Sequence, residues 1–139
     1  MYCLDTDVLS ALMRRDPPLP LVRRVAALGA TEQCTTSINL GELLYGAAKR
    51  GSDRLMRRVE ELILSAGLVI AFDESSARVY GSLRAALERS GRPLAEPDLR
   101  IASIALARDL TLVTGNTRHF GRVPDLRVEN WLSRPSVER

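Results

Sequence analysis

The sequence predicts an α/β domain with a central parallel sheet, and two observations carry that prediction. Short runs of β-forming residues alternate with helix-length amphipathic segments along the whole chain, which is the pattern of repeated βαβ units. These runs are also mostly apolar, as strands become when helices cover both faces of a sheet. The chain of 139 residues suits one domain.

Taken in order, Met1 to Leu4 reads as the first strand. Thr6 to Arg15 follows as a short helix with Thr6 or Asp7 as its cap. D-P-P-L-P at 16–20 ends that helix, because proline cannot continue one. Leu21 to Leu28 is a second helix closed by Gly29, and Gln33 to Thr36 is the second strand. Ser37 can then cap a helix to about Arg50, before the break at Gly51-Ser52-Asp53. Leu55 to Ser65 is helical, with its apolar residues mainly at Leu55, Val59, Leu62 and Ile63. Gly67 precedes L-V-I-A-F, the third strand. Ser75 to Ser90 is a long helix closed by Gly91, and Pro97 suits the first turn of another that runs to Asp109. T-L-V-T at 111–114 is the fourth strand, and Arg127 to Glu129 is a short edge strand. The domain spans residues 1–133, with a frayed tail at 134–139.

Composition narrows the function. Hydrophobic residues make up 45% of the chain and aromatics only 4%, so Leu, Val, Ile and Ala build the core. The longest run without a charge, Leu62 to Phe72, falls far short of the ~20 residues of a membrane span. No basic leader precedes the first strand, so a cytoplasmic location is expected. Cys3 and Cys34 have no nearby histidine and read as small buried hydrophobes. The net charge is +3, and the basic side is almost all arginine, Lys49 being the only lysine. Guanidinium forks match phosphate oxygens, so a nucleic-acid partner competes with an ordinary charged surface.

Ligand sites in such folds lie outside the carboxyl ends of the strands. Asp5 follows the first strand, Ser37 and the helix carrying Glu42 follow the second, and Thr114, Gly115 and Asn116 follow the fourth. Asp98 shares a helical face with Ile101, Ala102 and Ala105, so a carboxylate heads an apolar stripe. Glu42 lies off the apolar face of its helix, where a solvated position competes with a functional one. Gly41 and Gly46 in that helix suggest close approach of another helix or a ligand. Asp7 reads as a cap or as a residue behind the ligands. If Asp5, Glu42 and Asp98 converge, they must hold protons or a cation. Oxygen donors without His or Cys favour Mg²⁺ or Mn²⁺.

A strand running into D-x-D resembles the opening of the haloacid dehalogenase phosphatases, and L-V-T-G-N at 112–116 mimics their second motif. That likeness ends there, because no lysine follows Lys49 and no adjacent acid pair follows Asn116. The chain more closely resembles PIN-domain proteins of the VapC toxin type. The matching segments are Y-C-L-D-T-D-V-L-S at 2–10, S-I-N-L-G-E-L-L-Y-G-A at 37–47, D-L-R-I-A-S-I-A-L-A at 98–107 and T-L-V-T-G-N-T-R-H-F at 111–120, with V-P-D-L-R-V-E-N-W at 123–131 as the closing strand.

The resemblance implies a three-layer α/β/α domain and a metal-dependent endoribonuclease, the toxin of a toxin–antitoxin pair. It places the metal acids on Asp5, Glu42 and Asp98, and the fourth catalytic position on Asn116, where many members carry Asp. Thr6 and Thr114 would orient acids or water, while Arg118 and Arg122 are candidates for RNA contact. It further implies Mg²⁺ or Mn²⁺ as cofactor, RNA as substrate, a cognate VapB-type antitoxin and a homodimer. Hydrolysis would leave a 5′-phosphate and a 3′-hydroxyl. His119 reads as a surface residue beside Phe120. A catalytically weak PIN-fold module that binds RNA or protein is the second reading, with Asn116 in its favour. A DNA-directed nuclease ranks third.

Overall fold

The computed structural model describes residues 1–66 and 68–132; the tail expected at 134–139 lies outside them. Five parallel strands form one sheet: β1 (Tyr2–Leu4), β2 (Gln33–Thr36), β3 (Val69–Ile70), β4 (Thr111–Val113) and β5 (Arg127–Glu129). Their spatial order is β3-β2-β1-β4-β5. The chain therefore winds outward from β1 in one direction and returns to build the other half from β4. This puts the switch in winding direction between β1 and β4, where open parallel sheets place their ligand crevice. Leu4 pairs with Val113 across that boundary, and the Asp5 amide donates to the Val113 carbonyl at 2.9 Å.

Strand alternation splits the interior into two cores. Cys3, Cys34 and Leu112 point to one face, where they meet α5 (Glu74–Arg89), α6 (Glu96–Ala107) and Phe120 of α7 (Thr117–Phe120). Leu4 and Val113 point to the other, where they meet α1 (Thr6–Leu12), α2 (Leu19–Ala26), α3 (Ser37–Arg50) and α4 (Asp53–Ala66). The result is the expected α/β/α sandwich. Cys3 and Cys34 are buried, reduced register partners.

Element ends follow their capping chemistry rather than the apolar pattern. Asp5, not Thr6 or Asp7, is the N-cap of α1, and its carboxylate accepts from the Thr6 amide. Thr36, not Ser37, caps α3 by accepting from the Asn39 amide at 3.2 Å. Gly51, at φ 60°, closes α3 in the left-handed region that glycine tolerates best. Asp73 caps α5 and extends it one residue ahead of Ser75. Pro97 occupies the first turn of α6, as expected. That helix is apolar almost all round and buries Leu99, Ile101, Ala102, Ser103, Ile104 and Ala105. The third strand shrinks to two residues. A single 3-10 turn at Ala30–Glu32 and the short helix α7 were too brief to carry a periodic signal.

Candidate active site

Asp5 sits at the centre of the site, 7% exposed, where β1 ends and α1 begins. Its Oδ1 accepts from the Thr6 amide at 2.9 Å and from Asn39 Nδ2 at 2.8 Å. Its Oδ2 accepts from the Thr114 hydroxyl at 2.7 Å. Three elements thus meet on one carboxylate: α1, α3 and the end of β4. Neutral donors hold it, and no cationic side chain pairs with it among the described residues.

Glu42 joins through Thr6, whose hydroxyl donates to Glu42 Oε1 at 3.0 Å. Asn39 Nδ2 lies 2.9 Å from the same hydroxyl, so Asn39 ties Thr6 and Asp5 together. Glu42 is half-buried rather than fully solvated. Burial pushes its carboxyl up; the Thr6 hydrogen bond opposes that, while the charges of Asp5 and Asp98 add to it. Asp98, half-buried in the first turn of α6, is also pushed up, first by burial and then by Asp5. The carboxyls interact electrostatically across the crevice, which unites Asp5, Glu42 and Asp98 from three separate elements.

Asp7, half-buried two residues along α1, reaches the loop after β4. Its Oδ2 accepts from the Gly115 amide at 2.8 Å, while Oδ1 is buried without a partner. A Cβ at position 115 would stand 2.8 Å from that Oδ2, so glycine is required for the contact. Burial and the charge of Asp5 raise the Asp7 carboxyl too. Asn116 follows, its amide donating to the Thr114 hydroxyl at 3.0 Å. Its side-chain nitrogen lies 3.0 Å from His119 Nδ1.

One residue of the cluster escaped the sequence reading. Asn39 is fully buried, and its signal was spacing: it stands one helical turn after the strand-end Thr36 and one before Glu42. His119 is exposed but belongs to the site's rim, where its charge lowers the Asp98 carboxyl. Arg118 is exposed, and Arg122 is engaged by the Pro93 carbonyl at 3.2 Å. A Cβ at Gly41 or Gly46 would meet no atom of the described residues within 4 Å.

The donor set fits a hard divalent cation in chemistry and in charge: oxygen atoms only, mutually repelling acids, and one buried carboxylate oxygen left without a hydrogen. Among the described residues no three acids, His or Cys close around a single point.

Comparison with known proteins assigns this arrangement to a family. The model of the PIN domain matches residues 2–126. The chain belongs to the PIN-domain family, in its VapC branch. It is 37% identical over 130 residues to the tRNA(fMet)-specific endonuclease VapC of Shigella flexneri, covering 94% of this chain and 97% of that one. Ribonuclease VapC2 of Haemophilus influenzae (strain ATCC 51907 / DSM 11121 / KW20 / Rd) is 34% identical over 131 residues, covering 94% and 98%. Among solved structures, VapBC2 from Rickettsia felis bound to a DNA fragment from their promoter superposes with a TM-score of 0.83 at 33% identity, covering 94% of this chain and 98% of that one. Within this PIN domain the segments that carried the family resemblance are those that meet at the crevice.

Proposed function

We propose that this PIN domain is an endoribonuclease that hydrolyses RNA phosphodiester bonds with Mg²⁺ or Mn²⁺, the toxin of a type II toxin–antitoxin system, acting in the cytoplasm. The observation that carries this reading is a set of four acids, Asp5, Asp7, Glu42 and Asp98, around the strand-end crevice, none of them in an ion pair among the described residues. Names of relatives support it: the Shigella and Haemophilus proteins are called an endonuclease and a ribonuclease. A VapB-type antitoxin is the expected partner, as in the Rickettsia VapBC2 complex, and a homodimer is the expected assembly.

Asp5, Glu42 and Asp98 would hold the cation, which when bound supplies Lewis acidity and makes a water more acidic. The remaining work falls to the protein. Three hydrogen bonds lock Asp5 in one orientation, and Thr6 fixes the direction of Glu42. Thr114 joins Asp5 to the Asn116 amide and so ties the fourth position to the first. Asn116 presents an uncharged side chain beside His119, leaving the site one negative charge short of an all-acid set. Hydrolysis adds water across the phosphodiester, breaking the P–O3′ bond to leave a 5′-phosphate and a 3′-hydroxyl, with no covalent protein intermediate.

That same uncharged Asn116 favours the second reading, a module that binds RNA or protein and cleaves weakly. Cleavage of a fluorogenic single-stranded RNA by protein freed of antitoxin separates the two. Activity that requires Mn²⁺, stops with EDTA and is lost in Asp5→Asn supports the nuclease. Folded, metal-binding protein that cuts neither this substrate nor total tRNA supports the module.

A further inference from the structure

A groove of about 450 Å³ leaves the acidic cluster and runs between the α1 and α3–α4 side of the molecule. Thr6 and Glu42 line one part of it, and Arg14, Arg50 and Arg54 line another. The three arginines come from different places: just past α1, the last residue of α3 and the first turn of α4. Among the described residues none of them forms an ion pair or a side-chain hydrogen bond. Elsewhere Arg24, Arg58, Arg78, Arg84, Arg100, Arg108 and Arg127 each pair with an acid. Gly46 borders the groove, and a side chain added there would enter open space. A helix interior disfavours glycine, and the open space at this one lets a bulky chain lie close to α3.

We infer that this groove binds the sugar–phosphate backbone of the RNA substrate on one side of the scissile bond, with Arg14, Arg50 and Arg54 contacting phosphates beyond the acidic cluster. The inference rests on the ribonuclease reading and adds a second, metal-independent contact region to it. The groove's charge is graded, acidic where the reacting phosphate would sit beside a cation and basic further along. Unpaired guanidinium forks bind phosphate oxygens without first breaking an ion pair. A few hundred cubic ångströms is the scale of a small-ligand site. That suits a short piece of single strand.

The test uses the full chain with Mn²⁺ and two single-stranded RNAs sharing one scissile step. One is long enough to follow the groove; the other is too short to leave the acidic cluster. The double variant Arg50→Ala/Arg54→Ala is expected to raise KM on the long RNA about tenfold while kcat stays within about twofold, as loss of phosphate contacts weakens binding uniformly. The slope of log affinity against log salt should shrink by about 0.7 per lost contact. On the short RNA the KM change should be no more than about twofold. Gly46→Leu, which adds a good helix former and so should not unfold α3, is expected to raise KM on the long RNA by obstruction. Arg89→Ala, at the far end of α5, serves as the control. Equal losses on both lengths, or unchanged KM on the long RNA, would overturn the inference. So would unchanged RNA kinetics combined with weakened antitoxin binding, which would make the groove a protein-docking surface. If the wild-type chain cleaves neither RNA nor total tRNA, the ribonuclease reading fails; fluorescence anisotropy of the long RNA then still decides whether the groove binds it.

Discussion

The acids of the α5–α6 flank and those of the strand-end crevice are held in opposite ways. At the α5–α6 flank, Asp73 accepts from the Ser76 amide, the hydroxyls of Ser75 and Ser76, and Arg108. Its carboxyl is held well below the usual range, first by the Ser76 backbone hydrogen bond. Glu96 is lowered as well, first by Tyr80, with Arg100 and Arg84 assisting. At the strand ends, Asp7, Glu42 and Asp98 are raised, each first by burial. The flank acids are structural: each has donors for its charge, so ionisation favours the fold. The crevice acids are left short of positive charge, so their ionisation opposes the fold. Stability given up locally in this way marks a functional site more clearly than the mere presence of acids.

The sharpest way to break this contrast is to neutralise the centre. Asp5→Asn and Asp98→Asn should each lower RNA cleavage by about a thousandfold or more, the scale of losing a preorganised electrostatic element. Single-turnover cleavage checks this, with circular dichroism to verify folding. Cation binding comes next. Saturating Mn²⁺ at about 100 times Kd should stabilise the wild type by about 2.7 kcal/mol, which is a rise of several degrees in Tm. The rise should disappear in Asp98→Asn and persist in Asp73→Ala; an equal rise in both variants would erase the distinction between the two regions. Asn39→Ala removes a donor shared by Asp5 and Thr6. It should cost about 10–100-fold in metal affinity or activity, with a stability loss of about 1–3 kcal/mol for the acceptors it leaves in the interior.

A pH series sharpens the comparison further. In the crevice the folded chain keeps its protons to higher pH than the unfolded chain. The metal-free protein should therefore lose stability as pH rises through the raised carboxyl values of Asp7, Glu42 and Asp98. Asp98→Asn should reduce that loss at neutral pH and change little at acid pH. Asp73 has the opposite sign. Its contribution is in place above the ordinary carboxyl range and is lost as pH falls toward its depressed value. The smallest effect belongs to Asp73→Ala: a slight fall in Tm at neutral pH, solvent screening reducing the contribution of an exposed group, with cleavage unchanged. Thermal melts across pH, with and without Mn²⁺, compare the wild type with both variants.

Much of this was legible in the chain because strand and helix signals are local. The β2 and β5 boundaries agree with the structure, and the strand-end positions of Asp5 and Thr114 follow from where apolar runs stop. The errors lie where local signals compete. Thr6, Asp7 and Asp5 are all plausible caps, and the choice fell to Asp5 only through the geometry that brings Asn39 and Thr114 to the same carboxylate. Glu42 looked solvated on its own helix because its partner, Thr6, is 36 residues away. Gly46 suggested close approach of another helix or a ligand, and only the structure shows an open groove beside it.

By itself, the sequence determined the α/β class, the punctuation by proline, glycine and capping residues, and the identity of the acids that could form a site. Those properties depend on residue type and near-neighbour spacing. Only the tertiary structure decided the winding reversal between β1 and β4, the convergence of α1, α3 and β4 on Asp5, and the grouping of three arginines along one groove. The physical reason is that hydrogen bonds and charge coupling depend on separation in space. In this chain Asp5 and Thr114, 109 residues apart, meet at 2.7 Å.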